Sequence, residues 1–162
     1  MLALTSYSVV VALHVIAVLA AYGLPLAYPL MLPYLRRVHP RTMPGVHDVQ
    51  HRLNLLLTGP GTLLVLGLGI YLAAEEDLFD EPWVHVGLVA ILLIGAIGGW
   101  VVGASKRMAE LSADDVAAAP ENDSVTWSAE YEALYACYAK VEILLGAIVL
   151  VAVFSMAAKP GA

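Results

Sequence analysis

Charge, cysteine and phenylalanine are all scarce in this chain. Only 14% of its 162 residues are charged and 60% are hydrophobic, against about 25% and roughly 45–50% in ordinary soluble domains. That imbalance excludes a water-soluble globular enzyme and a disordered chain. The single cysteine, Cys137, excludes an internal disulfide framework and any cysteine-based zinc site. An excess of base is also missing. The net charge is −6, which argues against nucleic acid as a partner because phosphate binding needs the opposite sign. There is no P-loop, nucleophile elbow or glycine-rich dinucleotide fingerprint. The five methionines are not clustered into a copper relay.

What remains is a set of long apolar runs. A hydrocarbon core of about 30 Å needs roughly 20 apolar residues of helix. Four stretches qualify: about 7–35, 53–74, 83–104 and 141–158. The expected fold is all-α, a single integral-membrane domain built as an up-down four-helix bundle. The first stretch is too long for a signal peptide and is read as retained. Its three prolines, Pro25, Pro29 and Pro33, predict a kink, with Pro25 or Pro29 as its cause. Glycine-rich spans two and three should make the closest helix contacts.

Flanking charges set a direction. The loop 36–52 holds Arg36, Arg37, Arg41 and Arg52, and span three ends at Lys106 and Arg107. The loop between spans two and three carries Glu75, Glu76, Asp77, Asp80 and Glu81 with no base. The positive-inside rule then places both termini outside and loops 36–52 and 105–140 in the cytoplasm. In the second loop, ADDVAAAPENDS reads as a solvated connector. From about Thr126, Tyr131, Leu134, Tyr135 and Tyr138 recur at helical spacing, so span four should extend downward as a helix capped by Ser124 or Ser128. The expected location is the cytoplasmic (inner) membrane.

Ionisable groups inside a span are costly and usually functional. His14 has no polar neighbour within five residues. His85 sits near the start of span three. His14 lies 22 residues before Arg36 and His85 lies 21 before Lys106. These are heights of roughly 33 and 32 Å on straight helices. Equal height on different helices is what a bis-histidine haem or metal site requires. For each residue a proton, quinone or purely structural role competes with ligation. Glu142, just inside span four, reads either as a proton-handling carboxylate or as an interfacial acid paired with Lys140 or Arg52. His47 and His51 are spaced for one helix face, but Asp48 stands where a zincin would have glutamate. A solvated face near lipid headgroups is the expected role there.

Several stretches resemble known membrane families. LHVIAVLAAYGLPLAYP, HRLNLLLTGPGTLLVLGLGIYL, PWVHVGL and VEILLGAIVLVAVFSMAAKPG resemble the four helices of HemJ-type protoporphyrinogen oxidases. CopD-type copper-resistance proteins share part of the pattern. In length and ending, the chain is most similar to a family of small predicted bacterial integral membrane proteins with no assigned reaction. The HemJ likeness implies haem b held by His14, with His85 matching the third-helix histidine and Glu142 the fourth-helix acid. The resemblance also implies a lysine and an arginine at positions that are Gly87 and Leu30 here. Their loss speaks against protoporphyrinogen oxidation. Three readings follow: a haem-binding protein in electron transfer or haem handling, a copper- or proton-coupled permease, and a non-catalytic membrane subunit or scaffold. The bilayer, a quinone or redox partner, and further copies of the chain are the expected partners.

Overall fold

The computed structural model describes residues 6–121 and 124–160; Asn122 and Asp123 of the predicted connector, and the terminal Gly161, lie outside them. Among the described residues every regular element is helical. In chain order these are α1 (Ser6–Tyr22), α2 (Tyr28–Val38), α3 (Met43–Leu53), α4 (Gly59–Glu75), α5 (Pro82–Ala118) and α6 (Ala129–Ala158). Three continuous helices are long and apolar enough to cross a membrane: Pro40–Glu75, Pro82–Ala118 and Ala129–Ala158. The pair α1 and α2 makes a fourth if it counts as one bent span. The chain is therefore built as a multi-pass membrane protein.

Proline decides where these helices break. α1 closes with the Gly23 N–H donating to Leu19 O at 2.9 Å. A short 3-10 turn, Pro25–Ala27, follows, and α2 then restarts with Pro29 in its first turn, where its missing N–H costs nothing. The two halves meet at 44°, so the kink falls where Pro25 and Pro29 were expected to put it. Pro60 has a different effect. A proline clashes with the carbonyl four residues earlier, and here the chain answers with one π-helical turn, Asn54–Thr58, before α4. The Gly59 N–H reaches back to Asn54 O, and helicity runs unbroken from α3 into α4.

The two predicted cytoplasmic loops are largely helical. Residues 43–53 continue upward into α4, and α5 runs on to Ala118. The stretch ADDVAAA carries good helix formers and no breaker before Pro120. At 37 residues α5 measures roughly 55 Å, well beyond a hydrocarbon core of about 30 Å. Its end packs with the start of α6 outside the apolar zone. Asp115 accepts from the Ser128 N–H at 2.9 Å and from its hydroxyl at 3.0 Å. Ser128 Oγ in turn caps α6 by accepting from the Tyr131 N–H.

Two cores result. One, at the arginine-rich end, gathers Tyr28, Met43, Met108, Tyr131, Tyr135 and Tyr138. The other, deeper in the apolar zone, contains Ala17, Ala21, Tyr22, Val65, Ile94 and Val149. Large apolar side chains such as Leu30, Leu56 and Phe154 point outward, as lipid contact allows. The glycine expectation holds in part, at Gly61 of α4 and at Gly87 of α5, which lies against Met156 of α6. A Cβ on Gly61 would come within 2.8 Å of Ala21 Cβ, so α4 and α1 touch closely there. On α5, an added Cβ at Gly95, Gly98, Gly99 or Gly103 meets nothing within 4 Å. Those residues leave space open rather than closing a contact.

Arg36 ties α2 to the extension of α6. Its guanidinium lies 4.6 Å from the Tyr135 ring centre, 5.4 Å from Tyr131 and 5.5 Å from Trp127, and it pairs with Glu132. Replacing it by leucine should cost about 2 kcal/mol from the lost cation–π stack. Arg36→Lys should recover little of this, because the planar stack is gone. Thermal unfolding in mild detergent measures both.

Candidate functional site

Two buried polar centres lie in the apolar zone. The first is His14 on α1. Its ring is 9% exposed and packs on α4 at a notch without a side chain, where a Cβ on Gly69 would stand 3.3 Å from Cε1. The Val65 backbone is its polar neighbour, but no hydrogen bond is fully formed and Nδ1 is left buried and unpartnered. The ring borders an apolar groove of about 410 Å³ between α1, α4, α5 and the end of α6. Lys159 lines the same groove, its ammonium 5.4 Å from the Trp83 ring centre. Lys159 is a site residue that sequence reasoning missed. Its only signal is position, a cation just past the end of a span.

His85 does not join His14. Its neighbours Trp83, Val84, Gly87 and Leu88 line the groove, but His85 is exposed on the other side of α5 and its Nδ1 donates to Glu81 O at 3.1 Å. Similar height on two helices does not set which way each side chain points. The positions at which the HemJ likeness implies cations are also accounted for. A side chain at Gly87 would run into Met156, and Leu30 is 81% exposed on the outer surface.

The second centre is Glu142 on α6, 4% exposed. Neither ion pair foreseen for it forms. Lys140 is exposed, since residues two apart on a helix face nearly opposite ways. Arg52 pairs with Asp48 at 2.9 Å. Glu142 instead has the Tyr138 hydroxyl as its hydrogen-bonding neighbour.

From Tyr138 a buried chain runs toward the arginine-rich end. The Gln50 amide donates to Tyr138 Oη at 3.5 Å, and Gln50 Oε1 accepts from His47 Nδ1 at 2.7 Å. Tyr131 Oη lies 3.0 Å from His47 Nε2. Full burial favours the neutral imidazole; with Nδ1 donating to Gln50, Nε2 then accepts from the Tyr131 hydroxyl. The amide of Gln50 interrupts this chain as a proton wire. Its action is to hold Tyr138, and through it Glu142, in place. His47 is fully buried, contrary to the solvated face expected for it, because α3 packs on α5 and turns His47 toward Tyr131 of α6. His51 turns the other way and donates from Nδ1 to Val102 O at 3.0 Å. Among the described residues no three His, Cys, Asp or Glu side chains gather into a metal-holding group.

No protein-family model, curated protein or solved structure matches the chain. The chemistry of these centres therefore has to be argued from their own atoms. His47→Leu leaves Gln50 Oε1 and the Tyr131 hydroxyl buried without partners, at about 1–3 kcal/mol each. A drop in melting temperature far larger than that of His51→Ala is the expected outcome of thermal unfolding in detergent.

Proposed function

We propose that the chain is a four-crossing protein of the cytoplasmic membrane that binds haem b in the groove beside His14, for electron transfer or haem handling. The observation that carries this reading is His14, a nearly buried imidazole with no fully formed hydrogen bond, at the edge of an apolar groove. With one ring N–H directed at the Val65 backbone, the other nitrogen keeps its lone pair for a metal, and apolar walls suit a porphyrin. In the groove, Lys159 is the cation placed to pair with a carboxylate of the bound group. The Gly69 notch lets the imidazole lie against α4, and the Val65 backbone orients it. Iron bound there would supply one-electron exchange. His85 takes no part, so the protein contributes one ligand. With no cation at Gly87 or Leu30, the reading stops short of protoporphyrinogen oxidation.

Absorption spectra of the purified protein, as isolated and after dithionite, test this. A Soret band is expected that disappears in His14→Ala and persists in His85→Ala. Lys159→Ala should lower the haem retained without moving the band. Carbon monoxide should shift the reduced band, since His14 would be the single ligand that the protein supplies. A colourless wild type from a haem-replete host would overturn the reading and leave a non-catalytic subunit as the better account.

The proposed orientation puts both termini outside and the arginine-rich end in the cytoplasm, following the asymmetry of basic loops. Cys137 is exposed on the extension of α6 and is the chain's single cysteine. A membrane-impermeant maleimide should therefore leave it unlabelled in intact cells and label it after permeabilisation. Equal labelling in both would reverse the topology.

A further inference from the structure

Glu142 faces a second cavity, of about 320 Å³, whose lining shares no residue with the His14 groove. Its walls come from the π turn and the start of α4 on one side, from α5 and α6 on others, and from the α1–α2 bend. Gly95, Gly98 and Gly99 of α5 line it, and beyond each of them the space is open. At its rim Leu55 and Leu63 are 50% and 71% exposed on the lipid-facing surface. The cavity therefore opens sideways, toward the bilayer.

The polar groups around it show what kind of occupant is missing. The Tyr22 hydroxyl donates to Thr62 Oγ1 at 2.8 Å, and Thr62 Oγ1 donates to Thr58 O at 2.7 Å. Thr58 Oγ1 donates to Ala21 O at 3.2 Å. These groups need nothing further. Asn54 does: it is 4% exposed and lines the cavity, and of the two N–H groups on its Nδ2 the Tyr138 hydroxyl stands near enough for one, without a fully formed hydrogen bond, and nothing for the other. The Asn54 amide nitrogen is a donor, so the gap calls for an acceptor. A metal cation would need the reverse, and a single carboxylate does not make a cation site.

We propose that this cavity binds the head of a lipid-soluble quinone, with Asn54 Nδ2 donating to one of its carbonyl oxygens and the ring lying along the glycine face of α5. Glu142 completes the polar end. Protonated, it donates to a quinone oxygen; ionised, it accepts from the hydroxyl of the reduced form. The π turn is what makes the site, because it sets Asn54 facing inward at the depth of Glu142. A quinone is also the natural partner in the electron-transfer reading, and the partner's class rests partly on that reading. Binding here is read without any haem signal, so either proposal can fail alone.

The test uses Trp100, which lies in the chain between the cavity-lining residues Gly99 and Val101, with its ring stacked on Tyr138 at 6.3 Å. In a Trp83→Phe/Trp127→Phe background it is the remaining tryptophan. A decyl-substituted benzoquinone is titrated into this protein in detergent while tryptophan fluorescence is followed. Saturable quenching is expected, with apparent affinity at least tenfold weaker in Asn54→Leu and in Gly98→Leu, which fills the cavity. Leu150→Ala, on the lipid face, should leave it unchanged. Melting temperatures show that each variant is folded, and Gly99→Leu serves if Gly98→Leu is not. Quenching that stays linear, or that saturates equally in Asn54→Leu or in the cavity-filling glycine variant, overturns the proposal.

Discussion

Inside hydrocarbon every backbone donor and acceptor must find its partner within the protein, and the prolines of this chain make that hard. Each removes a donor and crowds a carbonyl one turn back. The chain resolves the conflict in two ways. At Pro25 and Pro29 the helix stops, turns through a 3-10 segment and restarts at 44°. At Pro60 it stays helical and absorbs the misfit in a π turn. Both irregularities border the Glu142 cavity. The space there is a consequence of how two spans accommodate proline, and the glycines of α5 leave it unfilled.

The two polar centres differ in kind. His14 stands nearly alone in an apolar wall, with the Val65 backbone as its polar neighbour. Glu142 belongs to a network reaching through Tyr138, Gln50, His47 and Tyr131 to the aromatic cluster around Arg36. That network is also the polar seam joining α3 to α6. The long extensions of α5 and α6 serve the same purpose, gripping one another through Arg107 with Glu130 and Asp115 with Ser128.

Much of the fold was legible in the residues. Apolar runs of about 20 residues can hardly avoid becoming spans, and prolines in the first predict its break. The sharp contrast of acidic and basic loops indicates a direction. The tyrosines from Tyr131 to Tyr138 did announce the extension of α6, capped by Ser128. Residues 43–53 and the ADDVAAA stretch were misread because their polarity was taken for irregularity, and a polar helix looks like a loop when its buried stripe includes histidine and glutamine rather than leucine. Lys159 was overlooked because only the folded chain brings the end of α6 beside α1.

By itself the sequence determined an all-helical membrane protein, the place of its kink, and the small set of buried ionisable residues worth weighing. These follow from local physics: hydropathy, backbone chemistry and the cost of charge in lipid. Only the tertiary structure decided which of those residues share a space. Residue spacing sets height along a helix, whereas the direction of a side chain depends on how each helix is rotated in the bundle, which packing alone fixes. That rotation turns His85 outward, Glu142 inward and His47 into the core. It also places His14 and Glu142 on two separate cavities and leaves His85 outside both.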